Sequence, residues 1–314
     1  MKHRFLTVDL LRILAVVLVV YAHFVSVGGG ATSLPDVVNS TTSLPIYNSQ
    51  DWSMWKFEIF LINVFSTQTG ILGVSLFFIV TGYLMPFMMD RYTRKEFLIN
   101  RLFRIVPVLI ISMLIIGLFV YVTQGISYSL KSYIGSFTLS YLVIGVVPIV
   151  GVLWTLVVEV IFYFITSVIG KFNFEKIILF QIIGLSIIIL STKYQDIYYL
   201  KLLATNIRYI LMIFIGSAIY IAQKNENLLF SFIYVLSSVI IAYIGFYLYK
   251  LNFNDISTYN NIGTFILATS LMLLAVWGGG IYSSFTKVYN TFFRACISNL
   301  SYTCSYRFRH DGGN

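Results

Sequence analysis

Arg12 and His23 stand eleven residues apart in an otherwise apolar run, residues 10–27. At about 100° and 1.5 Å per residue, a helix brings both to one face, offset by about 20° in rotation and roughly 16 Å in rise. Asp9 falls within roughly 40° of that face. A cation near one end of such a stripe and an imidazole further along it can stabilise charge and pass protons, because histidine titrates close to neutral pH. The structural alternatives are an Arg12 that snorkels to the interface and a His23 that hydrogen-bonds a neighbouring helix. Glu159 is a second anomaly, the only carboxylate in Leu153-Trp154-Thr155-Leu156-Val157-Val158-Glu159-Val160-Ile161-Phe162-Tyr163. Facing a polar cavity it would orient a hydroxyl or accept its proton; the alternative is a structural glutamate, protonated or paired with arginine. Tyr163, four residues on, shares its face. Arg101 and Arg104 are three apart, a spacing at which two guanidinium groups grip one phosphate together, or simply mark topology.

These residues must be positioned by elements that live in lipid. The 314 residues are 58% hydrophobic and 11% charged, against roughly 45–50% and 25% in soluble domains. Mean hydropathy is +0.86. A single water-soluble globule is excluded. Apolar runs suited to a hydrocarbon core of roughly 30 Å predict helices over 10–27, 70–89, 105–121, 152–169, 177–191, 207–222, 228–249 and 262–281. An ionisable group inside such a helix costs at least ~2.5–3.5 kcal/mol on insertion scales, so Arg12, His23 and Glu159 each require a partner or a task.

Residues 31–68 read as a polar loop with one lysine, Lys56, whereas the loop after the second helix holds Arg91, Arg94, Lys95, Arg101 and Arg104. That excess marks the cytoplasmic side and places the N-terminus, with Lys2 and Arg4, there as well. Residues 132–151 are apolar but broken by Gly135, Gly145, Pro148 and Gly151, and either cross or dip in. If they do not cross, Lys171, Lys176, Lys224, Lys287 and Arg294 fall inside and Lys193, Lys201 and Lys250 outside. The positive-inside count favours that reading.

The net charge of +9 sits in short clusters between apolar runs, which fits a bilayer partner and not nucleic acid. Cys296 and Cys304, with the scattered His3, His23 and His310, offer neither a disulfide framework nor metal-ligand spacing. No metal or prosthetic group is expected.

Four motifs in order carry a resemblance. Arg12 with His23, Phe77-Phe78-Ile79-Val80-Thr81-Gly82, Arg101-Leu102-Phe103-Arg104, and Trp154-Thr155-Leu156 with Glu159 and Phe162-Tyr163 together resemble the membrane-bound acyltransferase-3 family. Thr81 stands where the family usually has serine, which keeps the hydroxyl. The resemblance implies an all-α, polytopic helical bundle of about 8–10 spans in the cell membrane. It also implies transfer of an acyl group, commonly acetyl, from cytoplasmic acetyl-CoA to a hydroxyl of a surface polysaccharide or glycolipid. By it His23 is the catalytic base or transient acyl carrier, Arg12 stabilises charge on the donor, and Arg101 with Arg104 holds the CoA phosphates. Glu159 joins the catalytic set, and Trp154 and Tyr163 contact substrate.

A transporter or flippase of a lipid-linked saccharide is the competing reading. Many such folds show paired repeats around a midplane site; no repeat relates the halves here. The transmembrane domain is read as residues 1–303. Ile297-Ser298-Asn299-Leu300-Ser301-Tyr302-Thr303 resembles the entry into a last helix, but 304–314 contain no aliphatic residue and cannot span. That tail reads as truncated or out of frame.

Overall fold

The computed structural model describes residues 2–24, 53–65, 67–125, 127–253 and 261–277. Within them the chain forms eleven helices: α1 (Lys2–Phe24), α2 (Ser53–Phe65), α3 (Thr69–Met89), α4 (Arg94–Gln124), α5 (Leu130–Phe137), α6 (Tyr141–Ile144), α7 (Leu153–Ile169), α8 (Phe174–Lys193), α9 (Tyr198–Lys224), α10 (Leu228–Phe253) and α11 (Asn261–Trp277). Among the described residues there is no strand. The protein is therefore an all-helical, polytopic bundle, and α3, α4, α8, α9 and α10 are each long and apolar enough to cross a membrane. The predicted tail and the segment leading to it lie outside the described residues.

The centre of the bundle is the crossing of α3 and α9, the pair in most extensive contact. A methyl group on Gly82 would overlap the carbonyl oxygen of Ile213, and one on Gly216 would overlap that of Ile79. Two backbones meet there with no side chain between them, the close approach that small residues permit in membrane bundles. The hydroxyl of Ser217 donates to the Gly82 carbonyl at 2.8 Å. The two helices run parallel: Phe78 packs on Tyr209 near the middle of each, and Asp90 beyond the end of α3 pairs with Lys224 at the end of α9 at 2.7 Å. On its other face α3 receives α1, where a methyl group on Gly73 would lie 2.8 Å from the Ala15 carbonyl oxygen.

Polar contacts between helix ends divide the molecule into two poles. At one, Thr7 of α1 donates to Ala275 at the end of α11 at 2.8 Å, and Ser231 of α10 donates to Ala222 of α9 at 3.2 Å. Arg91, Arg94, Lys95, Lys171, Lys176 and Lys224 border the ends of α3, α4, α7, α8 and α9 at this basic pole. At the other, Thr67 meets Thr264 at 2.5 Å and Thr205 of α9 meets Tyr249 of α10 at 2.6 Å.

Several helix borders differ from the sequence reading. Residues 31–68 are not loop throughout, since α2 occupies Ser53–Phe65. The helix predicted over 105–121 begins eleven residues earlier, so Arg101 and Arg104 lie within α4 and not in a loop. The local cause is a capping box: Thr93 accepts from the Glu96 amide, and Glu96 accepts from the Thr93 amide at 2.9 Å.

Residues 132–151 do not cross. α5 has eight residues and α6 four, far fewer than the roughly 20 a spanning helix needs. They fold back beside the parts of α4 and α7 away from the basic pole, around a separate small core of Leu109, Met113, Tyr141, Ile149 and Leu153. Gly145 takes a left-handed φ of 72° to end α6, a conformation glycine adopts without Cβ strain.

Candidate active site

On α4, Phe97, Arg101 and Arg104 follow at intervals of four and three residues, so they share a face. Arg101 is 7% exposed. Its guanidinium carbon lies 5.4 Å from the Tyr163 ring centroid and 5.7 Å from that of Phe97. These two rings meet edge to face at 5.9 Å. The Nε of Arg101 is buried and has no hydrogen-bond partner among the described residues. Arg104, one turn deeper, is exposed.

On α7 the hydroxyl of Tyr163 donates to Oε1 of Glu159, as expected for residues four apart on a helix. Glu159 feels the charges of Arg101, Arg12 and Arg104. Arg12, on α1, feels Arg104, Arg101 and Tyr163 and lies 4.0 Å from Asp9. Three helices thus deliver three guanidinium groups around one carboxylate and one phenol. A buried arginine with an open donor, beside an exposed arginine, can hold a multiply charged anion by charge-assisted hydrogen bonds. An ionised carboxylate among guanidinium groups offsets part of their mutual repulsion.

The structure brings together Arg12, Arg101, Arg104, Glu159 and Tyr163 and leaves the other two candidates elsewhere. Trp154 lies nine residues before Tyr163, about 13 Å along α7. There its ring packs on Tyr209 at 4.8 Å and edge-on to Phe78 at 6.3 Å. His23 is in the last turn of α1; its side chain lies outside the described set. Its backbone is roughly 16 Å beyond Arg12 along the axis. The adjoining Ala22 packs at the start of α3, 2.9 Å from where Gly70 would carry a methyl group. Glu159 belongs to the level of Arg12, not to that of His23.

Sequence reasoning missed Arg208, which is 4% exposed inside α9. Its guanidinium carbon lies 4.1 Å from the Tyr249 ring, 4.7 Å from Tyr209 and 5.7 Å from Phe246. The predicted span 207–222 put Arg208 at a helix border. Because α9 starts at Tyr198, it is ten residues inside.

A family model described as an acyltransferase domain matches residues 5–304, nearly the whole chain. No curated protein and no solved structure matches it. The motifs that carry the earlier resemblance all fall within the matched span, and the helices that bear them form one bundle, so the chain belongs to the acyltransferase-3 family of membrane acyltransferases.

Proposed function

We propose that this acyltransferase moves an acetyl group from acetyl-CoA, bound from the cytoplasm, to a hydroxyl of a surface polysaccharide or glycolipid on the far side of the cell membrane. The observation that carries this reading is the convergence of Arg12, Arg101 and Arg104 with Glu159 and Tyr163 in the half of the bundle nearer the basic pole. Lysine and arginine crowd that pole, which supports a cytoplasmic position for it and for the N-terminus. Arg104 and Arg101 receive the CoA phosphates there. Arg12 stands next along the path, where it balances the donor's charge.

His23 lies further along α1, a distance that the extended pantetheine arm of CoA is long enough to cover. The acceptor hydroxyl oxygen attacks the thioester carbonyl carbon, its proton passes to His23, and the carbon–sulfur bond breaks. The departing CoA sulfur then takes that proton, which restores the neutral imidazole. Trp154 contacts the acceptor on the same half of the bundle, and Tyr163 fixes Glu159 among the arginines at the donor end.

The test is incorporation of label from radioactive acetyl-CoA into alkali-treated surface polysaccharide by membranes that contain the protein. Label should become alkali-labile in the polysaccharide, and the double substitution Arg101→Ala with Arg104→Ala should remove it. Saccharide movement across the membrane without any acetyl incorporation would replace this reading with the transporter one.

A further inference from the structure

Arg208 stands outside the cluster that serves the donor, at the level of the aromatic group around Trp154. Its Nη2 donates to the Tyr209 hydroxyl at 3.2 Å. Adjacent residues on a helix diverge by about 100° and do not ordinarily face one another, so this bond draws the phenol back toward the guanidinium. The Tyr249 ring that covers Arg208 is held in turn by Thr205 at 2.6 Å. Arginine is a costly filler at such a position, because an apolar side chain of similar volume would pack without desolvating a charge.

The ring that Arg208 restrains is a hub. Tyr209 touches Trp154 at 4.8 Å, Phe246 at 5.3 Å and Phe78 at 5.8 Å. Phe78 and Phe246 are buried, while Trp154 and Tyr209 each keep part of their surface open. An indole braced by aromatic neighbours that keeps part of its surface open can serve as a platform for the apolar face of a sugar ring. Its tilt depends on the ring behind it.

We propose that Arg208 is a positioning residue for the saccharide acceptor, acting through Tyr209 to set the Trp154 indole. The proposal rests on the reading that Trp154 contacts the acceptor. It assigns α9 a part in acceptor binding that is separate from the donor cluster on α1, α4 and α7.

Arg208→Met, Arg208→Lys and Tyr209→Phe test it, each made in the full chain and also in a version with Trp154 as the sole tryptophan (Trp52, Trp55 and Trp277 changed to Phe). KM is measured in membranes for acetyl-CoA and for alkali-treated surface polysaccharide, and Trp154 emission is recorded without substrate. Arg208→Met and Tyr209→Phe should raise the polysaccharide KM about tenfold, leave the acetyl-CoA KM unchanged and shift Trp154 emission. Arg208→Lys should recover part of both effects. Tyr209→Phe keeps the test open if Arg208→Met fails to accumulate, since it removes one hydroxyl and no charge. Unshifted emission at normal protein levels overturns the link through Tyr209 and leaves the acetyl-transfer reading intact. Shifted emission with an unchanged polysaccharide KM overturns the acceptor role of Trp154, and the proposal with it.

Discussion

Arg101 caps the face of the Tyr163 ring, its guanidinium carbon 5.4 Å from the ring centroid, while the hydroxyl of that ring is given to Glu159. Arg101 is therefore held by an aromatic face, and its buried Nε has no hydrogen-bond partner among the described residues. Arg104 has no such enclosure.

This difference separates the two arginines in a kinetic experiment. Arg104→Ala should raise the acetyl-CoA KM by about 10- to 150-fold, the equivalent of one charge-assisted contact of ~1.5–3 kcal/mol, with protein abundance unchanged. Arg101→Ala should cost as much in KM and also lower thermal stability in detergent, because it strips the Tyr163 and Phe97 rings of their cation, a contact of about 0.5–2 kcal/mol. Equal thermal stability of the two variants would contradict the packing described for Arg101.

His23→Ala should abolish acetyl incorporation while the tagged protein stays in the membrane at normal level. Replacing an imidazole with a methyl group eases insertion and removes the proton-handling group. Transfer that persists near the unsubstituted rate would take His23 out of the mechanism.

Gly82→Ala should be among the most damaging single-methyl changes in the protein. The added carbon meets the backbone carbonyl of Ile213, which no rotamer change can move aside, so α3 and α9 must separate. Overpacking of this kind costs typically 1–3 kcal/mol, read as a lower melting temperature and a loss of monodisperse protein in detergent. A melting temperature equal to that of the unsubstituted protein would contradict the crossing.

Ser136→Ala tests the folded-back segment. The Ser136 hydroxyl accepts from the Ile149 amide at 3.1 Å, a buried contact between residues thirteen apart. Its removal leaves that amide unpaired at about 1–3 kcal/mol. Limited proteolysis should then cut within residues 138–151 faster, with global melting nearly unchanged. Unchanged cleavage would mean that the contact does not hold the segment.

The sequence exposes the site more readily than the helix borders, and the reason is energetic. Arg12 and Glu159 are conspicuous because charge is rare where apolar residues must run without interruption, so composition alone marks them. Arg101 and Arg104 are equally visible, but an apolar window that starts only at Ile105 leaves them in a loop; the Thr93 and Glu96 cap is the better signal. Arg208 is hidden for a similar reason. The run 200–207 before it mixes lysine, threonine and asparagine with leucine, which lowers mean hydropathy although Ala204, Asn206 and Ile207 are buried in the bundle. Gly82, a small residue that follows Phe77, Phe78 and Thr81, is where α9 crosses. The partner glycine, Gly216, and the Ile213 carbonyl it brings close are tertiary facts with no local signature.

Glycine contacts join α1, α3 and α9 backbone to backbone, whereas α4 and α7 touch the rest of the bundle sparsely and share the small core with α5 and α6. The molecule is thus a closely packed spine with a two-helix paddle that reaches the main core through Phe97, Val158, Phe162, Tyr163 and Ile169. Arg12 is mounted on the spine, and Arg101, Arg104, Glu159 and Tyr163 are all mounted on the paddle. In the reading proposed above, the donor phosphates sit on a seam between these two parts of the bundle, so an anion bound by Arg12 together with Arg101 and Arg104 would tie α1 to α4.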